Sequence, residues 1–298
     1  MAITAADVKK LREATGVAMM DCKKALTEAE GDFEKAIALL REKGLAVAAK
    51  RADRTAAEGI IYFLQSDDKK TGVLVELNCE TSFVAANDEF VAMAKDIADT
   101  VMAGDYADVE ALKGATIAAK GLTVADALNE IVAKIGEKIE CSRFAKVVAG
   151  ADESLTGYIH LDKLTGVIVK LKSDKADVVN SEGATTLEKD IAMHIAWSNP
   201  KYLQASDVSQ EEIDKETEIQ IARLKQDPKM EGKPDNILKG IVQGRLKKEF
   251  FAQLCLLEQP FVKDDKESVG ALIDAFAKSN SAKVCVTEFV RFKVGEKA

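Results

Sequence analysis

Apolar residues recur at helical spacing through the first part of the chain, in three segments separated by turns. The turns contain Gly16 and Gly31, and Gly44 stands where a helix C-cap belongs. The segments comprise residues 5–14, 19–28 and 33–43. This pattern predicts a small three-helix module, followed by a polar and basic connector over residues 50–54.

Beyond the module, the pattern repeats at an offset of 94 residues. Residues 71–77 align with 165–171, and residues 95–98 align with 189–192 at the same offset. The first pair of blocks alternates β-branched residues behind a glycine, which predicts a strand, and the second pair lies within predicted amphipathic helices. Each half also has a predicted hairpin partner for this strand, a helix and a closing strand. In the first half these are residues 59–63, 87–103 and 139–148, and in the second half they are residues 155–159, 186–197 and 284–294. The chain is therefore predicted to be α+β, with two pseudo-repeated subdomains, each a three-stranded antiparallel sheet with helices on one face.

The second half is longer than the first because it contains a charged insertion. Residues 209–225 and 236–256 both show helical periodicity, and Pro228 and Pro234 mark the loop between them. Two such helices predict an antiparallel coiled-coil hairpin. A thin charged hairpin has little core of its own, so we expect it to serve contact or dimerisation rather than chemistry.

These patterns divide the chain into five parts. We expect an N-terminal helical module at 1–54, a first subdomain at 55–149, a second subdomain at 150–205 and 235–282, an inserted hairpin at 206–234, and a closing strand with a tail at 283–298.

Composition narrows the classes of function. The formal net charge of −8 disfavours general attraction to phosphate backbones, so no direct nucleic-acid binding is expected. No apolar run has the length of a membrane span, and no secretory signal pattern is visible, so a cytoplasmic protein is expected. The five cysteines are scattered without a CxxC motif, which supports neither a disulfide framework nor a zinc site, and no cofactor is expected.

Signals for catalysis are missing from the sequence. It contains no phosphate-binding loop, dinucleotide fingerprint, nucleophile elbow or HExxH motif. Of the two histidines, His194 is predicted to be a partly buried structural residue, whereas structural and surface-contact roles remain equally open for His160. The paired carboxylates have the spacing of solvated helix faces. We therefore expect a protein that is not an enzyme.

Two segments are candidates for contact with a partner. Residues 78–84 lie between a predicted strand and a predicted helix, and Thr81 or Ser82 suits a helix N-cap. From periodicity alone, a capped turn with Phe83 folded into the core is favoured over an exposed contact. At the start of the second helix, Met19 and Met20 cannot both face a small core, so at least one is expected at a contact surface.

Motifs along nearly the whole chain resemble those of the elongation factor Ts family, and they occur in the family's order. They are Leu11-Arg12, Thr15-Gly16, residues 19–26, 78–84, 132–137, 191–196, 244–248, 259–262 and 289–296. The resemblance implies an N-terminal module similar to ubiquitin-associated (UBA) domains, two related subdomains and a coiled-coil hairpin. It also implies a bacterial cytoplasmic protein that promotes release of GDP from elongation factor Tu during protein synthesis.

The resemblance also implies roles for particular residues. Residues that dock on the GTPase are matched by Arg12, Met19 and Met20. A turn that intrudes near the bound magnesium is matched by Thr81, Ser82, Phe83 and Val84, and a contact loop beside that turn is matched by Ile135 and Gly136. A contact near the phosphate-binding loop is matched by His160. Ser82 departs from the Asp usual in the family, which puts in doubt any step that needs a carboxylate there.

A second class of function remains open on the residues alone. An adaptor or RNA-associated protein would use the three-helix module and the hairpin, where residues 245–248 are locally basic.

Overall fold

A computed structural model of the chain describes residues 3–226 and 233–296. It combines helices with two three-stranded and two two-stranded antiparallel sheets, so the predicted α+β class is confirmed.

The N-terminal helices form a small unit with its own core. They are α1 (Ala5–Thr15), α2 (Met19–Glu28) and α3 (Phe33–Arg51). Apolar residues from all three helices are buried together, at positions Val8, Leu11, Cys22, Ala25, Leu26, Ala36 and Leu40. Thr4 caps α1 through a reciprocal pair of hydrogen bonds with Asp7, which satisfies backbone donors that the helix leaves free.

The next part of the chain forms a sheet of order β1-β2-β5. Its elements are β1 (Glu58–Gln65), β2 (Thr71–Cys79), α4 (Ser82–Ala85), α5 (Asp88–Ala103), α6 (Val109–Lys113), β3 (Thr116–Ile117), β4 (Leu122–Thr123), α7 (Val124–Ile135) and β5 (Ile139–Val148). Helices α5 and α7 cover one face of this sheet and share a core with it, in which Phe90, Met93 and Ile97 are fully buried.

The last part forms a second sheet of order β6-β7-β10. Its elements are β6 (Glu153–Ile159), β7 (Thr165–Ser173), α8 (Ala176–Val179), α9 (Glu182–Ser198), α10 (Gln210–Lys225), α11 (Asp235–Arg245), α12 (Ala252–Leu254), β8 (Pro260–Phe261), β9 (Asp264–Ser268), α13 (Val269–Ser279) and β10 (Val284–Lys293). Short 3₁₀ turns lie at Ala205–Asp207 and Leu256–Glu258. Helices α9 and α13 share a core with this sheet.

The third helix does not end at Gly44, so the predicted C-cap there is wrong, and the connector predicted from residue 50 begins as helix. Gly44 is buried in the middle of α3, where an added Cβ would lie only 3.0 Å from the Cβ of Ala133 on α7. The glycine therefore allows α3 and α7 to approach closely. The extra turns of α3 place Val47 and Ala48 against the core of the first sheet.

The long helix predicted over residues 236–256 is also interrupted. After α11 the helix widens into a π turn over Leu246–Phe251, and Cys255 is extended. Tyr202 pairs with Cys255, and the backbone N–H groups of Lys201 and Tyr202 both donate to the carbonyl of Leu254. Helix α10 packs on α11 through Leu224 and Val242. The loop expected around Pro228 lies outside the described residues.

The two sheets pack face to face through a shared apolar layer. Ile61, Leu74, Val147, Leu155, Ile168 and Phe292 are buried in it. The sheets approach closely at glycines: an added Cβ at Gly157 would lie 2.3 Å from the ring of Phe63, and one at Gly166 would lie 2.5 Å from Ile61. Phe63 and Gly157 are 94 residues apart, so equivalent positions of the sequence repeat face each other.

Candidate partner-binding site

The turn after β2 holds its apolar residue in solvent. Thr81 has an extended backbone and caps α4 by accepting a hydrogen bond from the N–H of Val84 at 3.4 Å. The side chain of Phe83 is 88% exposed. The interpretation that Phe83 folds into the core is therefore wrong. Helix α4 has a single turn, and Val84 and Ala85 take its inward positions against the core of the first sheet.

Two carboxylates hold this turn against the turn that joins α7 to β5. Glu137 accepts from the N–H of Glu80 at 3.2 Å, from the N–H of Thr81 at 3.0 Å and from the hydroxyl of Thr81 at 2.7 Å. In return, Glu80 accepts from the N–H of Lys138 at 2.7 Å. We call this pair, Glu80 and Glu137, the carboxylate clamp.

Two arginines at the end of the N-terminal helical region reach the same clamp. Arg51 and Arg54 donate to Glu80 at 3.3 and 3.0 Å. The hydrogen bond from the backbone of Lys138, followed by the one from Arg54, lowers the pKa of Glu80 from its ordinary value. Glu80 is therefore ionised at neutral pH. The sequence motifs contain both clamp residues, but no pattern in the sequence identifies their partners.

Ile135 and Gly136 lie in the turn that the clamp fixes beside residues 81–84. Gly136 ends α7 with φ +83°, a conformation that glycine adopts without strain, and its N–H donates to the carbonyl of Val132. Ile135 is half-buried against the first core. The structure thus places Ile135 and Gly136 beside the turn at residues 81–84.

A second group of candidate residues lies on the N-terminal helices. Arg12 is exposed on α1, and Met19 and Met20 at the start of α2 are 43% and 62% exposed. Both methionines therefore reach solvent, which exceeds the expectation that at least one would. These residues lie on a module that is joined to α7 by the ion pair of Arg41 with Glu130 at 3.1 Å.

The third candidate, His160, lies at the tip of the β6–β7 hairpin. It is exposed, and its Nδ1 lies 3.0 Å from the hydroxyl of Tyr158. The adjacent Leu161 is 93% exposed, and the sequence analysis missed it, although an apolar residue at a hairpin tip is a signal for contact. The hairpin tip is anchored to the first sheet, because the N–H of Ile61 donates to the carbonyl of Lys163 at 2.8 Å.

His194 has the structural role predicted for it, and it is buried completely and not only in part. Its Nδ1 accepts from the N–H of Val262 at 3.2 Å, and its Nε2 lies 2.8 Å from Oε1 of Gln259. These partners fit a neutral ring with the proton on Nε2, and burial lowers the pKa of His194.

In the part of the chain that the structure describes, no group of three or more His, Cys, Asp or Glu side chains is arranged to hold a metal ion. Within the same residues, no helix combines the length and apolar character needed to cross a membrane.

Comparison with known proteins places the site in a family context. The family model described as Elongation factor TS matches residues 80–296, a span that includes the exposed turn, the clamp and every strand of both sheets except β1 and β2. The elongation factor Ts of Clostridioides difficile (strain 630) is 47% identical over 294 residues, covering 99% of this chain and 93% of that protein. Those of Trichlorobacter lovleyi and Nitratiruptor sp. are each 44% identical, with 99% of this chain and 94% of each relative covered. Matches at this identity and coverage show that the chain belongs to the elongation factor Ts family.

Proposed function

We propose that the chain promotes release of GDP from elongation factor Tu by inserting the turn Thr81–Val84 beside the magnesium of the bound nucleotide. As a member of its family, the chain is a nucleotide exchange factor for elongation factor Tu and not an enzyme that makes or breaks bonds. Family membership likewise supports the cytoplasmic location expected from the sequence and disfavours the adaptor or RNA-binding alternative. The observation that carries the proposed mechanism is the 88% exposure of Phe83 on a turn held by the carboxylate clamp.

Exposure of a large apolar ring is costly unless a partner covers it. Burying one phenylalanine side chain contributes about 1.5–3 kcal/mol. Phe83 is fixed outside the core by a short capped helix, so this free energy is available when a partner surface closes over the ring. The ring thereby supplies binding free energy that the isolated protein does not use.

The ring alone does not supply enough free energy for exchange. Weakening a nucleotide about a thousandfold requires about 4 kcal/mol. We therefore assign the remainder to other contacts: Arg12, Met19 and Met20 on the N-terminal helices, Ile135 and Gly136 beside the turn, and His160 at the β6–β7 tip. Coupling of this kind is reciprocal, so GDP must weaken binding of the chain as much as the chain weakens binding of GDP.

Because Ser82 carries no charge, the turn acts through the shape of Phe83 and not through a carboxylate at position 82. Its side chain is exposed and uncharged, and its hydroxyl can donate as well as accept a hydrogen bond. It does not repel phosphate as a carboxylate would. Displacement of the magnesium environment therefore depends on the volume of Phe83 in this chain.

The finer architecture expected from the sequence is part of the proposal. A UBA-like module at 1–54 and two repeated subdomains would present three separate contact surfaces to one partner. Support comes from the two sheets with equivalent strand order and from the contact of Phe63 with Gly157 across the repeat. Dimerisation through the hairpin at 206–234 stays a prediction.

The test is release of a fluorescent GDP analogue from elongation factor Tu, measured as a function of the concentration of this chain. We expect Phe83→Ala to lower the maximal stimulated rate about tenfold or more, because losing the buried ring removes about 1.5–3 kcal/mol. Ser82→Ala should have a much smaller effect. Met20→Ala serves as a comparison that raises the half-saturating concentration with little change in the maximal rate.

The maximal rates of Phe83→Ala and Ser82→Ala show whether the ring or the hydroxyl is responsible. A larger loss with Ser82→Ala than with Phe83→Ala would show that the hydroxyl and not the ring drives release. Full activity of Phe83→Ala would exclude the turn as the intruding element.

A further inference from the structure

We propose that Glu137 and Glu80 are positioning residues for exchange, because they fix the backbone that presents Phe83 and tie it to the end of α3. The inference rests on the proposed function of the turn, and it adds residues that never need to touch the partner.

Backbone pairing stops just before the functional turn. Strands β2 and β5 pair up to Cys79 and Ile139, and then the two chains separate toward α4 and α7. Beyond the end of the ladder, the N–H groups that leave each strand no longer face a carbonyl of the neighbouring strand, so other acceptors must satisfy them. The amide groups of Glu80, Thr81 and Lys138 are the donors that need acceptors here.

The two carboxylates supply these acceptors across the gap in both directions. Glu137 on the β5 side takes the N–H groups of Glu80 and Thr81, and Glu80 on the β2 side takes the N–H of Lys138. Glu137 also accepts from the hydroxyl of Thr81, which fixes the rotamer in which this hydroxyl caps α4. The direction in which Phe83 projects follows from that cap, two residues later.

The clamp is also connected to the N-terminal helices. Arg51, the last residue of α3, and Arg54 both donate to Glu80. Glu80 and its arginines form an ion pair in which the carboxylate side chain is only 19% exposed. Such partly buried, charge-assisted bonds are stronger than surface pairs. One carboxylate therefore holds the β2 turn, the β5 turn and the end of α3 in one arrangement.

An amide cannot replace Glu137 in this geometry. Its three donors approach two oxygens, and glutamine has one oxygen and an NH₂ group that is itself a donor. In Glu137→Gln, that NH₂ either faces an N–H, which loses a bond, or donates to the hydroxyl of Thr81, which reverses the direction of that bond. In both cases the bonds that remain lose the assistance of the negative charge. A hydrogen bond to a charged group contributes enough that its loss should lower the maximal rate of GDP release about tenfold.

The experiment is a double-mutant cycle in the full-length chain. GDP release from elongation factor Tu is titrated with the wild type, Glu137→Gln, Phe83→Ala and the double variant, giving a maximal rate and a half-saturating concentration for each. We expect Glu137→Gln to lower the maximal rate and leave the half-saturating concentration nearly unchanged, because Arg12, Met19 and Met20 are untouched. In the Phe83→Ala background, Glu137→Gln should have no further effect, because there is no ring left to position.

A matched control separates positioning from loss of charge or of stability. Glu110→Gln makes the same chemical change at the surface pair with Lys113 on α6, and it should behave as wild type. If Glu137→Gln does not fold, Thr81→Val tests the bond from the Thr81 hydroxyl to Glu137, since it keeps the β-branched shape and removes the hydroxyl. Thr81→Ser, which keeps the hydroxyl, should then restore the rate.

The outcomes distinguish this inference from the function on which it rests. If Phe83→Ala releases GDP like the wild type, the proposed function of the turn is wrong. If Phe83→Ala is impaired but Glu137→Gln is fully active, or if the two losses multiply in the double variant, only the positioning role is wrong. A higher half-saturating concentration with an unchanged maximal rate would also overturn it.

Discussion

A buried ion pair on the central strand of the first sheet makes the protein sensitive to the loss of either partner. Glu76 on β2 is 2% exposed, and it accepts from Nε of Arg143 at 2.6 Å, from the N–H of Gly295 at 2.9 Å and from Asn78 at 3.1 Å. The carboxylate thus joins β2, β5 and the segment after β10. We predict that Glu76→Ala destabilises the protein strongly.

The expected magnitude follows from what remains when the carboxylate is removed. Breaking a buried ion pair by deleting one partner costs about 3–5 kcal/mol, because the other charge is left without compensation. Here Arg143 keeps its bond to the carbonyl of Lys293 at 2.9 Å and its place over the ring of Phe292, 4.3 Å from the centroid. These contacts favour the lower end of the range, so we expect a loss of about 3 kcal/mol in the free energy of unfolding. This loss is large, because the free energy of unfolding of a typical protein is only about 5–15 kcal/mol.

Urea unfolding followed by circular dichroism measures this loss. Glu110→Ala is the comparison, because its carboxylate pairs with Lys113 at 2.6 Å but is 79% exposed. An exposed pair contributes only about 0–1 kcal/mol. Equal losses in the two variants, or a larger one for Glu110→Ala, would refute the reasoning that burial sets the cost.

Two further predictions concern the contact between the sheets and a buried carboxyl group. Gly157→Ala should lower the free energy of unfolding by about 1–3 kcal/mol, because its Cβ would lie 2.3 Å from the ring of Phe63. Adding Phe63→Leu should recover part of this loss when thermal unfolding is measured. A Gly157→Ala variant as stable as the wild type would contradict the packing argument. Glu188 accepts from the hydroxyls of Ser154 and Thr156, and burial raises its pKa above the ordinary 4.5, so the folded chain binds this proton more tightly than the unfolded chain does. The contribution of Glu188 to the free energy of unfolding therefore falls as the pH rises above 4.5. Glu188→Gln cannot ionise, so this decrease should disappear when unfolding is measured from about pH 4 to about pH 8. The same pH profile in the wild type and in Glu188→Gln would show that Glu188 does not cause the decrease.

Local pattern was sufficient for elements whose bounds depend on their own residues. The second helix was predicted at residues 19–28 and runs over Met19–Glu28, and a strand predicted at 139–148 runs over Ile139–Val148. In both cases the alternation or helical spacing of apolar residues matches the face that the element buries. The structural role of His194 was expected on a different ground, since a lone histidine in a helix is more often structural than catalytic.

Local pattern failed where a distant residue decides the outcome. Gly44 has the sequence context of a helix end, yet α3 continues because Ala133 on α7 needs the space that a side chain would fill. The helix after residue 236 is interrupted because Tyr202 pairs with Cys255. Phe83 resembles a core residue in its spacing and is exposed, because the clamp from Glu137 sets the turn that carries it.

The repeat shows most clearly what the sequence by itself determined and what only the tertiary structure decided. The offset of 94 residues, read from the sequence, aligns Glu76 with Lys170, two residues of opposite charge at the centre of the aligned strands. In the structure, Glu76 on β2 forms an ion pair with Arg143 on β5, and Lys170 on β7 forms one with Glu288 on β10 at 2.8 Å. The second sheet therefore carries the same pair as the first with the two charges exchanged. Sequence determined the strands and their equivalence, since these depend on residues next to one another along the chain. Which charges meet, which glycines admit a ring and where Phe83 points depend on residues far apart in the chain, and only folding brings those together.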